Sequence, residues 1–567
     1  METKRSALLL VAGLAGTAHA GGAQPSYKVL AEHQSFPISS PSPTEIVPLR
    51  TRVTLTSPGT LFVNSDGSYF PASNPSNTIG NVFIAIDGQL ASGAPFPSTR
   101  VSNDAVISWD GVNPPVQHSF NVVGAPHLYP GTYTVRLMAE LRPNGGPTLG
   151  GFYVNGRTNL SVMEPRATAF DEAVLAGDSP PRSSPPYNFT TYSLPDWLQF
   201  VQPEKRATPI IFPDIGWEHT TLPGVWFGVG FNDREVVLLA SGRAYWDGGD
   251  GDALLGFYVD GFACGSAFTT IAINDLTHIG ELQAPMTLQG FLPRLPCRDP
   301  TPGPTAPPHV ISLDATELPI TPDQPSGCGP FTTPCGQTPV KYHVGQGTRM
   351  VYLSGGMNVA GAETLGHDIN NPSDFALAGG YAEPIALGTD VTLVSHEIPI
   401  PHGHDGVVFF TTKVRSLGYA NSENGIFFLW IEVQEEPPLR VDKRPVNAIM
   451  PRAGRRVSSL GIQATGSVSQ RTLTASYLAA GGLALLADHT YIASVHVKVV
   501  GNYKQAAVSA DVPLIWFDDN GPVTCRPDPN CDADQPCGSD GCGGACGFCD
   551  ELEICLPTGC TSVETFP

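Results

Sequence analysis

Proline and glycine interrupt this chain too often for long helices to survive. With Gly 61 and Pro 55 in 567 residues, they make up about a fifth of the chain, against roughly 12% in average usage. Proline lacks the N–H that a helix needs, and glycine loses the most entropy when ordered. What remains open to such a chain is short strands joined by turns. Its 41% hydrophobic content still supplies packed cores. Segments such as Arg52-Val-Thr-Leu-Thr, Val82-Phe-Ile-Ala-Ile-Asp87-Gly88 and Gly131-Thr-Tyr-Thr-Val-Arg-Leu137 alternate apolar and polar residues with period two, as half-buried strands do. Asp87-Gly88 and Asp260-Gly261 are hairpin dipeptides. The expected fold class is mainly β: tandem β-sandwich or jelly-roll-like domains plus a small disulfide-rich C-terminal module.

A loose repeat supports tandem domains. Further copies run through Arg234–Leu239 and Gly256–Gly261, through Arg349–Leu353, His402–Thr412 and Gly425–Val433, and through Arg456–Leu460 and His489–Val497. Leu160–Pro165 and Trp430–Pro437 read as last strands, each a strand followed by an acid and a proline. Pro180–Pro186 and Pro296–Pro339 read as linkers, the second carrying twelve prolines, a density that favours extended geometry. The expected division is four sandwiches at residues 27–166, 190–297, 338–435 and 437–520, with linkers at 167–189 and 298–337 and a cysteine module at 525–560.

The N-terminus reads as an export signal. Lys4 and Arg5 precede a short apolar run, Ala7–Leu14, and Ala18-His19-Ala20 fits a cleavage site after residue 20. The run falls short of the ~20 residues a spanning helix needs, so no transmembrane anchor is expected. A net charge of −21 repels phosphate backbones and excludes nucleic acid as a partner. The expected place is extracellular or at the cell surface.

All twelve cysteines, Cys264, Cys297, Cys328, Cys335, Cys525, Cys531, Cys537, Cys542, Cys546, Cys549, Cys555 and Cys560, are then expected in disulfides. Cys328 and Cys335 are close enough to bridge a small loop, with Cys264 and Cys297 the matching pair. Connectivity in the tail stays open. Cys546-x2-Cys549 has zinc-knuckle spacing, but an oxidising compartment favours disulfides over zinc. The stretch Cys537-Gly-Ser-Asp-Gly-Cys542-Gly-Gly-Ala-Cys546-Gly-Phe-Cys549 resembles a C-G-x-D-G-C-G-G-x-C-G-x-C module of secreted and cell-surface proteins from myxobacteria and their relatives. The resemblance covers thirteen residues, implies extracellular placement in such a bacterium, and carries no activity, because that module accompanies many different domains.

Three groups of residues invite chemistry. His396-Glu397 and His402-Gly-His404-Asp405 could form a transition-metal site, since His402 and His404 would share one face of a strand. The spacing misses H-E-x-x-H, because Ile400 stands where the second histidine belongs. The plainer reading is a histidine-rich loop. Asp247, Asp250 and Asp252 sit on a glycine loop and could offer oxygen to Ca²⁺; otherwise they form an acidic hairpin turn. Trp197, Trp217, Trp226 and Trp246 could form a sugar-stacking platform, although aromatics more often fill cores. Gly177-Asp178-Ser179 runs straight into prolines, without the strand–turn–helix setting of a hydrolase nucleophile. No residue is assigned a catalytic role. The expected function is a secreted or cell-surface structural or adhesive protein that binds glycan, matrix or a cell-surface protein. The alternative is a secreted hydrolase with accessory β domains. No cofactor is required, Ca²⁺ being the candidate.

Overall fold

The structure is a computed structural model. It describes residues 23–30, 34–71, 78–109, 118–143, 150–165, 167, 169–176, 182–183, 219–229, 234–248, 252–259, 262–272, 283–294, 309–317, 341–355, 357–364, 382–384, 388–419, 425–436, 463–464, 469–480, 484–501, 505–509, 513–518, 553–556 and 559–562. Every regular element among them is a strand, and all strand pairs are antiparallel.

The first sandwich contains β1 (Ser26–Val29), β2 (Phe36–Ile38), β3 (Thr44–Leu55), β4 (Gly59–Thr60), β5 (Phe62–Pro71), β6 (Thr78–Leu90) and β7 (Pro95–Arg100). It continues with β8 (Ala105–Trp109), β9 (His118–Gly124), β10 (His127–Leu128), β11 (Gly131–Pro143), β12 (Phe152–Val154) and β13 (Asn159–Met163). One sheet runs β1-β13-β5-β12-β2, with β9 on the free edge of β5. The facing sheet runs β3-β11-β6-β7, with β8 also on β6. Because β12 and β13 follow one another along the same edge of β5, this is the two-sheet arrangement of a jelly roll.

The second sandwich contains β14 (Ala169–Val174), β15 (Arg182–Ser183), β16 (His219–Val229), β17 (Arg234–Gly248), β18 (Asp252–Val259), β19 (Phe262–Ala272), β20 (Gln283–Arg294), β21 (His309–Glu317), β22 (Lys341–Val344) and β23 (Arg349–Ser354). The third contains β24 (Ala360–Thr364), β25 (Ala382–Pro384), β26 (Asp390–Pro399), β27 (Val408–Tyr419), β28 (Gly425–Glu435), β29 (Gln463–Ala464), β30 (Ser469–Ala479), β31 (Thr490–Gly501), β32 (Gln505–Ser509) and β33 (Pro513–Asp518). Their sheet orders, β14-β23-β17-β22-β15 with β20 and β16-β21-β18-β19, then β24-β33-β27-β32-β25 with β30 and β26-β31-β28-β29, reproduce the first. Among the described residues one sandwich topology is used three times.

The likeness extends to single hydrogen bonds. Thr158 caps the turn before β13 by donating its Oγ1 to Asn155 O at 2.7 Å, and Thr348 does the same before β23 with Gly345 O at 2.8 Å. Each turn carries a left-handed residue, Arg157 at φ 66 and Gly347 at φ 85. Each threonine also packs over a glycine of the central strand. A Cβ on Gly67 or Gly242 would fall 2.4 or 2.2 Å from the Thr158 or Thr348 Oγ1, so neither position has room for a side chain.

The strand pairings correct the expected division into four sandwiches. In this topology the first and last strands of a domain are neighbours, as β14 with β23. The expected linker at 167–189 therefore contains β14 and β15, and the proline-rich 298–337 contains β21, which pairs with both β16 and β18. Segments 338–435 and 437–520 share two sheets, β26 with β31 and β27 with β30 and β33. Partners far apart in sequence cannot be recognised from proline density. The repeat reading pairs β6 with β18 and β11 with β31 correctly, but it does not set β28 beside β6 and β18, although β28 holds their place in the third sandwich. It erred where it began copies at Arg234 and Arg349, which stand on adjacent strands of one sheet. The last strand equivalent to Leu160–Met163 is β33, not the strand through Trp430.

Alternation holds where one face meets a core and the other does not. On β11, Tyr133, Val135, Leu137, Ala139 and Leu141 point inward. It fails on β9, β13 and β33, which are buried along their whole length. The cause is a third apolar cluster that draws Phe62, Val123 and Met163 from the first sandwich, Val237, Leu239 and Phe291 from the second, and Phe409, Leu478 and Phe517 from the third. The sheets holding these strands are covered on both faces, so their sequences lose the polar half of the pattern.

Candidate functional site

The histidine loop lies between β26 and β27, and it distributes its side chains among separate partners. His396 stands on β26, stacks on Trp516 with ring centroids 4.6 Å apart, and meets Glu363 through Nδ1 at 3.0 Å. Glu397, the next residue, is exposed. His402 is exposed and bonds Asp488 at 2.8 Å. His404 is buried and bonds Asp518 through Nε2 at 2.7 Å. Asp405 folds back to accept the Val407 N–H at 3.0 Å. The five candidate ligands are thus not gathered around one point; His396, His402 and His404 each engage a different carboxylate. Among the described residues no group of three or more His, Cys, Asp or Glu is arranged to hold a metal ion.

The His404–Asp518 pair has the form of a structural lock. His404 Nδ1 accepts the Gly406 N–H at 2.8 Å, which leaves the proton on Nε2 to be donated to Asp518. Asp518 also accepts the N–H groups of Asn358 and Val359 at 3.1 Å each, tying the end of β33 to the entry of β24. Burial pushes the Asp518 carboxyl above its ordinary value, opposed by the His404 hydrogen bond and by the two backbone donors. Gly406 fits this turn because its φ is 72 and a Cβ would lie 1.7 Å from Leu485 O. His404→Ala should therefore lower stability by about 2–4 kcal/mol, since it strands a buried carboxylate. His402→Ala, at the surface, should stay within about 0.5 kcal/mol. Urea denaturation of the two variants separates them, and similar losses would refute the distinction.

Of the other candidates, Trp226 lies in β16 opposite Ser312 and Trp246 in β17 opposite Tyr342, while Trp197 and Trp217 lie outside the described residues. Asp247 is in β17 and Asp252 opens β18; Asp250, between these strands, lies outside the described residues, as does Gly177-Asp178-Ser179. Cys264 is in β19. Cys555 and Cys560 face each other in register across a hairpin of β34 (Glu553–Leu556) and β35 (Gly559–Ser562). The other nine cysteines lie outside the described residues.

Sequence reasoning missed a polar interior where the three sandwiches meet. Asp66 of β5 is fully buried. It accepts Asn121 Nδ2 at 2.6 Å, Asn64 Nδ2 at 3.4 Å, Asn159 Nδ2 at 3.5 Å and the Ser476 hydroxyl. Ser476 belongs to the third sandwich and also accepts Asn64 Nδ2 at 2.8 Å. The first and second sandwiches are joined by Asn103 Nδ2 to Ser241 Oγ at 3.2 Å and by Ser241 Oγ to Asn121 O at 2.6 Å. The second and third are joined by Gln289 Nε2 to Thr411 Oγ1 at 2.7 Å. Burial drives the Asp66 carboxyl above its ordinary value, against the opposing bonds from Ser476, Asn121, Asn159 and Asn64. No local signal marked it, because Asn64-Ser65-Asp66-Gly67-Ser68 is a run of turn-forming residues.

No family model and no curated protein matches this chain. Among solved structures, the N-terminal CBM22-1-CBM22-2 tandem domain of Xyn10C from Paenibacillus barcinonensis is similar at 10% identity, covering 59% of this chain and 99% of that one, with a TM-score of 0.15. The lipid-containing bacteriophage PM2 structure gives 8% identity, 87% and 99% coverage and a TM-score of 0.13. The triple jelly roll of an archaeal virus turret gives 8% identity, 85% and 91% coverage and a TM-score of 0.15. At these TM-scores the likenesses carry no argument, and the fold rests on the strand pairings themselves.

Proposed function

We propose that this protein is an exported, non-catalytic β scaffold that binds extracellular glycan or a matrix or cell-surface protein through the loops at the ends of its sandwiches. The observation that carries this reading is a repeated surface feature. Just before β11, Leu128 is buried and Tyr129 is 65% exposed; just before β31, Leu485 is buried and Leu486 is 43% exposed. In both loops a tyrosine of the following strand fastens the turn. Tyr133 donates its hydroxyl to Tyr129 O at 2.6 Å, and the Tyr491 hydroxyl accepts the Leu486 N–H at 2.8 Å. The His127 ring stands 6.5 Å from Tyr129. A fastened loop that holds an apolar side chain in water is pre-organised for contact, and aromatic side chains of this kind anchor interfaces.

Export is supported by the basic and apolar N-terminal segment and by the cysteine-rich tail, both sequence observations. The test is a glycan array and a panel of matrix proteins probed with the full chain, repeated with Tyr129→Ala and Leu486→Ala. Binding that weakens about tenfold in either variant, a loss of ~1.4 kcal/mol, supports the reading. Wild-type protein that binds nothing on either panel, or variants that bind like wild type, would overturn it.

A further inference from the structure

One sheet face of the first sandwich concentrates its basic side chains. Directly opposite one another across four strands stand Arg50 of β3, Arg136 of β11, Ala85 of β6 and Arg100 of β7. The next row holds Arg52, Thr134 and Asp87, and the one beyond it Thr54, Thr132 and Gln89. These rows face outward, because the residues between them, Val53, Val135 and Ile86, enter the core. Arg142 lies on the same face of β11 as Arg136. Residues 23–165 contain seven lysines and arginines, and Arg50, Arg52, Arg100, Arg136 and Arg142 are all on this face. With eight acids in the same span, the first sandwich is nearly neutral. The net charge of −21 falls on the rest of the chain, and salt screens it beyond ~8 Å.

The acids of this face lie beneath the arginines. In the Arg50–Glu45 pair the arginine is 58% exposed and the acid 20%; in the Arg142–Glu140 pair the values are 41% and 7%. Asp87 alone is more exposed than its arginine, Arg136. Arg100 is clamped by both oxygens of Asp104 at 2.6 Å and by Glu140 at 3.2 Å, and Arg136 by Asp87 at 2.7 Å and Glu45 at 3.3 Å. A guanidinium carries five N–H donors, so these bonds orient each fork and leave donors over. Arg52 is exposed and makes no ion pair among the described residues.

We propose that this face binds an acidic polysaccharide, taking its carboxylate or sulfate groups on Arg50, Arg52 and Arg136 and its hydroxyls on Thr54 and Thr132. Arginine forks match such planar or trigonal anions with paired hydrogen bonds. Arg50 and Arg136 stand on strands ~4.8 Å apart, and Arg50 and Arg52 are ~7 Å apart along one strand, so successive charged groups of one polymer can be met without bending the sheet. The Thr54 and Thr132 hydroxyls lie 3.3 Å apart at the exposed end of the same rows. A protein partner fits this face less well. Its aromatic side chain, Phe83, is buried beneath the Arg100 guanidinium, 3.7 Å from the ring centroid, so the aromatic anchor of a protein interface is not presented. The same lack of an exposed ring argues against a neutral sugar held by stacking. The site is separate from the loops that carry Tyr129 and Leu486.

The test is binding of the full chain to immobilised polygalacturonate and dextran sulfate, with uncharged dextran and double-stranded DNA alongside. The expected result is binding to one or both acidic polysaccharides and not to dextran, weakened by added salt and weakened about tenfold in Arg50→Ala/Arg52→Ala. Both arginines are exposed, so this double variant should fold. Tyr129→Ala, which tests the loop reading, should leave this binding unchanged, so the two readings fail separately. No binding to either acidic polymer would overturn the proposal, as would full binding by the double variant. Equal binding to DNA would also overturn it, by showing indiscriminate attraction to polyanions. So would self-association of the wild type that the double variant abolishes in the absence of polysaccharide binding, which would assign the face to a second copy of the chain.

Discussion

Phe409→Ala should destabilise the protein by about 3–5 kcal/mol, the range for emptying a buried aromatic site. Phe409 has no solvent exposure, and its ring lies 5.0 Å from Phe62 and 5.2 Å from Phe517, while Phe62 and Phe517 are 5.5 Å apart. These three rings join the first sandwich to the third inside the shared cluster that also takes in Val237, Leu239 and Phe291 of the second. The loss should therefore not be confined to one domain. If the sandwiches are held together by this cluster, denaturation of wild type proceeds with the three coupled, and the variant splits into separable transitions. Calorimetry reads this directly. A Phe409→Ala melt that keeps the wild-type shape and midpoint would show that the cluster does not carry the coupling.

Asp66→Ala should cost more than ~3 kcal/mol, because it leaves the amides of Asn64, Asn121 and Asn159 and the Ser476 hydroxyl short of an acceptor, at about 1–3 kcal/mol for each buried group left unpaired. Asp66→Asn keeps the shape and one acceptor oxygen and should lose less. The two differ from wild type in pH dependence as well. The folded Asp66 carboxyl titrates above its ordinary value because of burial. The folded state then holds this proton more tightly than the unfolded chain does. The group's contribution to stability is therefore greatest below the unfolded value and declines as pH rises through the raised folded value. Removing the carboxyl removes that decline. Urea midpoints from pH 4 upward should show a falling contribution in wild type that is missing in Asp66→Asn. Identical slopes would mean that Asp66 does not titrate in this range.

The histidine loop illustrates what pattern reading can and cannot supply. The density of His396, His402, His404 and Asp405 was visible in the sequence. Their partners Glu363, Asp488 and Asp518 were not, because these come from β24, the loop before β31 and the end of β33. Two histidines separated by one residue share a face on a regular strand, but Gly403 at φ 73 and Gly406 at φ 72 turn this segment. The regular geometry behind the metal expectation is absent, and His404 goes inward while His402 remains at the surface.

Sequence by itself determined the secondary-structure class, since proline and glycine forbid long helices and period-two alternation marks half-buried strands. It also brought β6 and β18 into correspondence, because a strand facing one core repeats its own local pattern. Tertiary structure decided how many domains there are and where each closes. A jelly roll lays its last strand beside its first, so β14 and β23 meet across a segment dense in proline. It also decided the polar junction. Nothing local distinguishes Asp66, Asn121 and Ser476 from surface residues of a strand; they are interior only because a second and a third sandwich cover the sheet face that a lone sandwich would leave in water.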